Sequence, residues 1–172
     1  MKTIKMHKAI RGKHIVNAYL AGIIDGEGSI LITKINNKRS GNIWYRMQVS
    51  CAMTDPEAIE LLRDTFTPDN KQFIYINGRE KGYRPVYQWL TTGKTSMRIL
   101  NELLPYLTVK KQQARLAIEF QLWRMSLPNT GKPRTEQELS RFDSYYQKLK
   151  ALKQYLQPQR LSEETPKGEA IV

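Results

Sequence analysis

Two pairs of alternating runs, each pair closed by a polar, glycine-containing turn, constrain this 172-residue chain more than any other feature. In the first pair, Ile30 and Ile32 begin a strand. The turn "NNKRSGN" (Asn36 to Asn42) leads to a second strand from Trp44 to about Met53. There Met47, Val49, Cys51 and Met53 fall on one face, and Arg46, Gln48, Ser50 and Ala52 on the other. The second pair is "KQFIYIN", the turn "GREKGYRP", and "VYQWLTT". Period-two runs around such turns read as β-hairpins. In this second hairpin the register is open, because either Trp89 or Leu90 is able to face inward. Lys34 interrupts the inward apolar pattern of the first.

Helical signals surround the hairpins. An apolar helix is expected from His14 or Ile15 to Asp25. "TDPEAIELLRDTF" carries an N-cap at Thr54 or Asp55, proline in the first turn and Glu57 at the positive helix end. Further helices are expected over 96–104, along "VKKQQARLAIEFQLWRM", and over 136–156, where Thr135 and Glu138 form a capping box. The fold class is therefore α+β, an antiparallel sheet with helices on one face and an open, polar and basic face opposite. Residues 14–157 read as one domain, 1–13 as a flexible basic N-terminus, and 158–172 as a disordered polar tail.

Charge narrows the partners. Lys and Arg number 28 against 16 Asp and Glu, a formal charge of +12, which suits a polyanion such as nucleic acid. The single cysteine excludes an internal disulfide and fits a reducing compartment. Two histidines and one cysteine cannot assemble a zinc site. No apolar run is long enough to span a bilayer, so no membrane partner is expected.

"NAYLAGIIDGEGSI", Asn17 to Ile30, carries the chemistry. Ala18, Gly22 and Gly26 share one stripe of the helix. Glycine there costs up to about 1 kcal/mol against alanine, so close packing must compensate. Either the stripe seats the helix on its own sheet, or it admits a second helix backbone to backbone. Asp25 and Glu27 have the wrong sign for a helix C-terminus. They are either solvated turn acids or, with two such helices abutting, part of a cluster that calls for a hard divalent cation.

This stretch resembles the signature of the LAGLIDADG homing endonucleases: Leu20, Ala21, Gly22, Ile24, Asp25, Gly26, Gly28 and Ser29 fall on the family pattern. The order of elements resembles that family's αββαββα core over about residues 15–126, with extra C-terminal helices. The resemblance implies a saddle-shaped antiparallel sheet and, since the motif occurs once, a homodimer. Its interface would involve Ala18, Ala21, Gly22, Ile23 and Asp25. It implies metal binding by Glu27, where aspartate is commoner, and by the Gly26 carbonyl. Lys110 matches a basic residue near the phosphate and the catalytic water. Asp55 matches a polar residue on the rim of the water pocket, beside its simpler reading as an N-cap.

The activity implied is metal-dependent hydrolysis of both strands of double-stranded DNA across the minor groove, leaving 3′ overhangs. Mg2+ is the implied cofactor, with Mn2+ or Ca2+ able to replace it for binding. A long pseudo-palindromic site would be read by β-hairpins in the major groove. Alternation selects Ser29, Thr33, Arg46, Gln48 and Ser50, then Tyr75, Asn77, Arg84 and Gln88. Lys34 is counted with these DNA-binding residues, and the loop residues Lys38, Arg39, Arg79 and Lys81 suit phosphates. No small-molecule substrate is implied, and a bacterial cytoplasm or organelle matrix is the expected setting. The rival reading keeps the architecture without cleavage, as an intron maturase or transcription regulator.

Overall fold

The structure is a computed structural model that describes residues 12–36, 42–69, 74–76, 84–128 and 133–155. Helix α1 (Lys13–Gly26) leads into strands β1 (Gly28–Asn36) and β2 (Ile43–Met53). Helix α2 (Pro56–Phe66) precedes β3 (Ile74–Ile76) and β4 (Val86–Thr92), followed by α3 (Gly93–Leu103), α4 (Lys111–Ser126) and α5 (Glu136–Tyr155). The described strands form one antiparallel sheet in the order β1-β2-β4-β3. The expected 1–13 segment (save Gly12 and Lys13) and the tail from 158 lie outside the described residues, as do Lys38, Arg39, Asn77, Arg79 and Lys81.

Local signals place most boundaries. Asp55 caps α2, its Oδ1 accepting from the Glu57 amide at 2.9 Å, with Pro56 at the first helical position. The Thr135–Glu138 box closes both ways: the Thr135 amide donates to Glu138 at 3.0 Å, and the Glu138 amide to the Thr135 hydroxyl at 3.2 Å. Helix α3 starts earlier than the expected Ser96. Gly93, at φ +59 after extended Thr92, turns the strand directly into a helix, a conformation glycine adopts without a Cβ penalty.

Period-two alternation holds. Ile30, Ile32, Tyr45, Met47, Val49 and Cys51 point into the core. Their partners Ser29, Leu31, Thr33, Arg46 and Gln48 share the opposite face, and helices contact both strands of this hairpin. The register of β4 is settled by Cys51 pairing with Trp89. Trp89 is buried and its indole donates to the Thr67 hydroxyl at 3.0 Å, so Leu90 takes the open face.

Helix α5 belongs to the core, through an aromatic cluster. Phe142 stacks on Tyr45 at 5.4 Å between centroids and meets Trp123 at 4.6 Å; Tyr145 lies 5.8 Å from Phe120. Burying rings of this size is the main reason a helix of polar average composition docks here. Lys34, the polar interruption of β1, is matched by this helix: its ammonium lies 2.7 Å from Asp143, which also accepts from the Tyr45 hydroxyl at 2.8 Å. Those two contacts hold the Asp143 carboxyl below the ordinary aspartate range.

Candidate active site

Helix α1 turns Asn17, Leu20, Ala21 and Ile24 inward, at the helical spacing of a core stripe. One hundred degrees away, Ala18, Gly22 and Gly26 are exposed. A Cβ at Gly22 or Gly26 would meet nothing within 4 Å. These glycines therefore do not seat the helix on its own sheet. Gly28 does: a Cβ there would stand 2.7 Å from the Ile24 Cα and carbonyl oxygen. Close passage of β1 under α1 requires glycine at that position.

The two acids part company. The Asp25 carboxylate accepts three backbone N–H bonds, from Thr108 at 2.7 Å, Val109 at 3.1 Å and Lys110 at 2.8 Å. It caps the turn that opens α4, where N–H groups are otherwise unpaired. In return the Lys110 ammonium crosses to the end of α1 and donates to the carbonyls of Ile24 (3.0 Å), Asp25 and Gly26 (3.4 Å). The wrong-signed acid at the helix end is thus offset by a lysine bound to that end's carbonyls, and the acid serves the positive end of its neighbour. Burial pulls Lys110 below the ordinary lysine range, against the opposing pull of Asp25 and Glu27.

Glu27, the C-cap residue of α1, is exposed, and no hydrogen bond holds its carboxylate among the described residues. It is near enough to raise the thiol of Cys51, which burial foremost pushes up to about 11. A thiol so placed is a protonated core group at neutral pH, not a nucleophile. Among the described residues no group of three or more His, Cys, Asp and Glu is poised to hold a metal ion. One chain offers a free carboxylate, Glu27, and the Gly26 carbonyl, whose lysine contact is the longest of the three. Both are hard oxygen donors of the type magnesium and calcium take; the set fits such a cation in kind and falls short in number.

The open sheet face carries Ser29, Thr33, Arg46, Gln48, Ser50 and Gln88 together, as alternation requires. The Thr33 hydroxyl donates to the Arg46 carbonyl at 3.1 Å, Arg84 is exposed just before β4, and Ser50 is buried among its neighbours. Two expectations need correction, that of Lys34 and that of Ala21 with Ile23. Lys34 faces α5 and is paired with Asp143, because the inward pattern of β1 continues through it. In β3, Tyr75 stands opposite Tyr87 of β4 in the backbone register. Ala21 is fully buried in its own chain, and Ile23 packs partly against the same core. Neither side chain is the free surface that a stripe centred on Gly22 suggested. Asp55 is an N-cap.

Sequence reading missed the reciprocal clasp of Asp25 and Lys110; the uncompensated sign of Asp25 was the clue available. It placed α5 but missed its docking on the core, although Phe142, Tyr145 and Leu149 stand at helical spacing.

An open-faced antiparallel sheet, a glycine-striped helix ending in acids at its edge, and a lysine returning from the helix behind it define the LAGLIDADG endonuclease fold. The chain superposes on the homing endonuclease I-CvuI in complex with the I-CreI target, solved in magnesium with its DNA uncleaved. The TM-score is 0.62 at 20% identity, covering 81% of this chain and 83% of that one. It also matches the archaeal intron-encoded homing endonuclease I-Vdi141I complexed with DNA (TM-score 0.63, 14% identity, 82% and 86% of the two chains). A third match is the homing endonuclease I-TnaI (0.52, 13%, 82% and 97%). No family model matches the chain, and no curated protein matches it by sequence.

Proposed function

We propose that this protein is a homodimeric, divalent-metal-dependent, site-specific DNA endonuclease. One observation carries the reading. The glycine stripe of α1 faces open space, and it ends at the free carboxylate of Glu27 beside the lysine-clasped helix terminus. Helix glycines with no partner in their own chain have a use when a second copy supplies one. Two copies meeting there double the donor set to two carboxylates and two carbonyls. The DNA complexes of the structural neighbours support duplex DNA as the partner, and the charge of +12 suits it.

In this reading Glu27 and the Gly26 carbonyl hold Mg2+, with Mn2+ or Ca2+ as substitutes for binding. A bound divalent cation supplies Lewis-acid charge at the phosphate and a more acidic water. The ammonium of Lys110, fixed by three carbonyls, meets the negative charge that develops on phosphate oxygens. Asp25 positions Lys110 through the backbone of 108–110 and touches no substrate. The open face, with Arg46, Gln48, Thr33 and Gln88, reads base edges of a pseudo-palindromic site. Cleavage across the minor groove with 3′ overhangs, and an intracellular setting that keeps Cys51 reduced, complete the proposal.

The test is incubation of a randomised duplex library with magnesium and sequencing of cut products. Glu27→Gln should retain DNA binding and lose cutting. A library left intact by the wild type while it is bound and retained would favour the maturase or regulator instead.

A further inference from the structure

The catalytic end of the proposed enzyme carries a second lysine. Helix α5 runs antiparallel to α4: Phe142 meets Trp123, and the Tyr145 hydroxyl donates to Glu119 at 2.8 Å. It runs antiparallel to β1 as well, since Asp143 pairs with Lys34 while Leu149 and Lys153 line a groove with Leu31 and Ile32. Followed about two turns beyond Tyr145, α5 reaches the level of Lys110 on one side. On the other it lies against Leu31 and Ile32 of β1. Its end delivers Lys153 there, half-buried in a groove of about 180 Å³ formed with Leu31, Ile32, Tyr146, Leu149 and Lys150.

Building on the endonuclease reading, we propose that Lys153 is a DNA-phosphate-binding residue, which seats a backbone phosphate flanking the one at Lys110. Among the described residues no carboxylate pairs with the Lys153 ammonium. Burial pulls it below the ordinary lysine range and the nearby Lys110 pulls further. A half-buried ammonium without a carboxylate of its own and with Lys110 nearby raises the energy of the free protein, and a bound anion relieves it. The alternative role is local: the lysine stem covers Leu31 and Leu149, and the charge favours the C-terminus of α5.

Lys153→Met separates the two, because it keeps the stem and removes the charge. Affinity for a mixed-sequence duplex is measured across a salt series, with thermal melts to establish folding. Wild type should show a steep slope of log affinity against log salt. Lys153→Met should flatten it by about 2, one phosphate per protomer in a dimer. Lys153→Arg should restore it, and Lys148→Met, exposed on the same helix, should leave it unchanged. A slope unchanged in Lys153→Met, or lowered equally by Lys148→Met, overturns the assignment of Lys153 and leaves the endonuclease reading standing. Failure of the wild type to bind duplex DNA overturns the endonuclease reading itself.

Discussion

Replacing Asp25 by alanine separates the two acids of the motif most sharply. Its carboxylate accepts three backbone N–H groups, those of Thr108, Val109 and Lys110. Hydrogen bonds to a charged group contribute roughly 1.5–3 kcal/mol each. Thr108 and Val109 are exposed, so water replaces the acid at two of the three. A net loss of about 2–4 kcal/mol follows, somewhat above the usual cost of a lost N-cap. For a chain of this size that lowers the melting temperature by about 5–15 °C. Urea unfolding followed by far-UV circular dichroism, at one fixed protein concentration because association adds stability, measures the loss directly. Asp25→Asn, which keeps one carbonyl acceptor, should fall between. If Asp25→Ala unfolds with the wild type while cutting disappears, the acid acts on substrate and the clasp is irrelevant.

Three further outcomes are expected. At Gly22 a Cβ has open space among the described residues, so Gly22→Leu should fold and sediment as a monomer without cutting; a dimer by analytical ultracentrifugation would remove the interface from α1. Gly28→Ala drives a methyl into the Ile24 backbone and should cost about 1–3 kcal/mol in urea unfolding, an effect absent at Gly22→Ala. Asp143 has its carboxyl lowered by Lys34 and Tyr45, so its contribution is present above the ordinary aspartate range and lost as pH falls through its depressed value. The stability difference between wild type and Asp143→Asn should therefore shrink toward zero in acid; a difference that persists at low pH would contradict the pairing.

The parts of the fold that were legible in the sequence are those with local causes. Alternation gave both faces of β2, Asp55 and Pro56 gave the start of α2, and Thr135 with Glu138 gave that of α5. What escaped depends on partners distant in sequence. Lys34 interrupted the inward apolar pattern without an evident reason because its partner Asp143 is 109 residues away in sequence. The phase of β3 was open because so short a strand has no internal pattern to fix it, and only pairing of Tyr75 with Tyr87 does. Ala21 fitted a small-residue stripe by type, yet the helix angle that buries Leu20 and Ile24 carries it inward. At the site itself Glu27, Gly26 and Lys110 were named from the motif, while the geometry that joins them required the return of α4 beside α1.

The clasp between α1 and α4 bears on how such a chain drifts over generations. It specifies two side chains, Asp25 and Lys110; every other atom it engages is a main-chain amide of 108–110 or a main-chain carbonyl of 24–26. Almost any residue supplies those. Thr108 and Val109, both exposed, are therefore replaceable without redrawing this corner, whereas the acid and the lysine are mutually dependent: either one alone leaves a helix end facing the wrong charge. Lineages should keep both or abandon both.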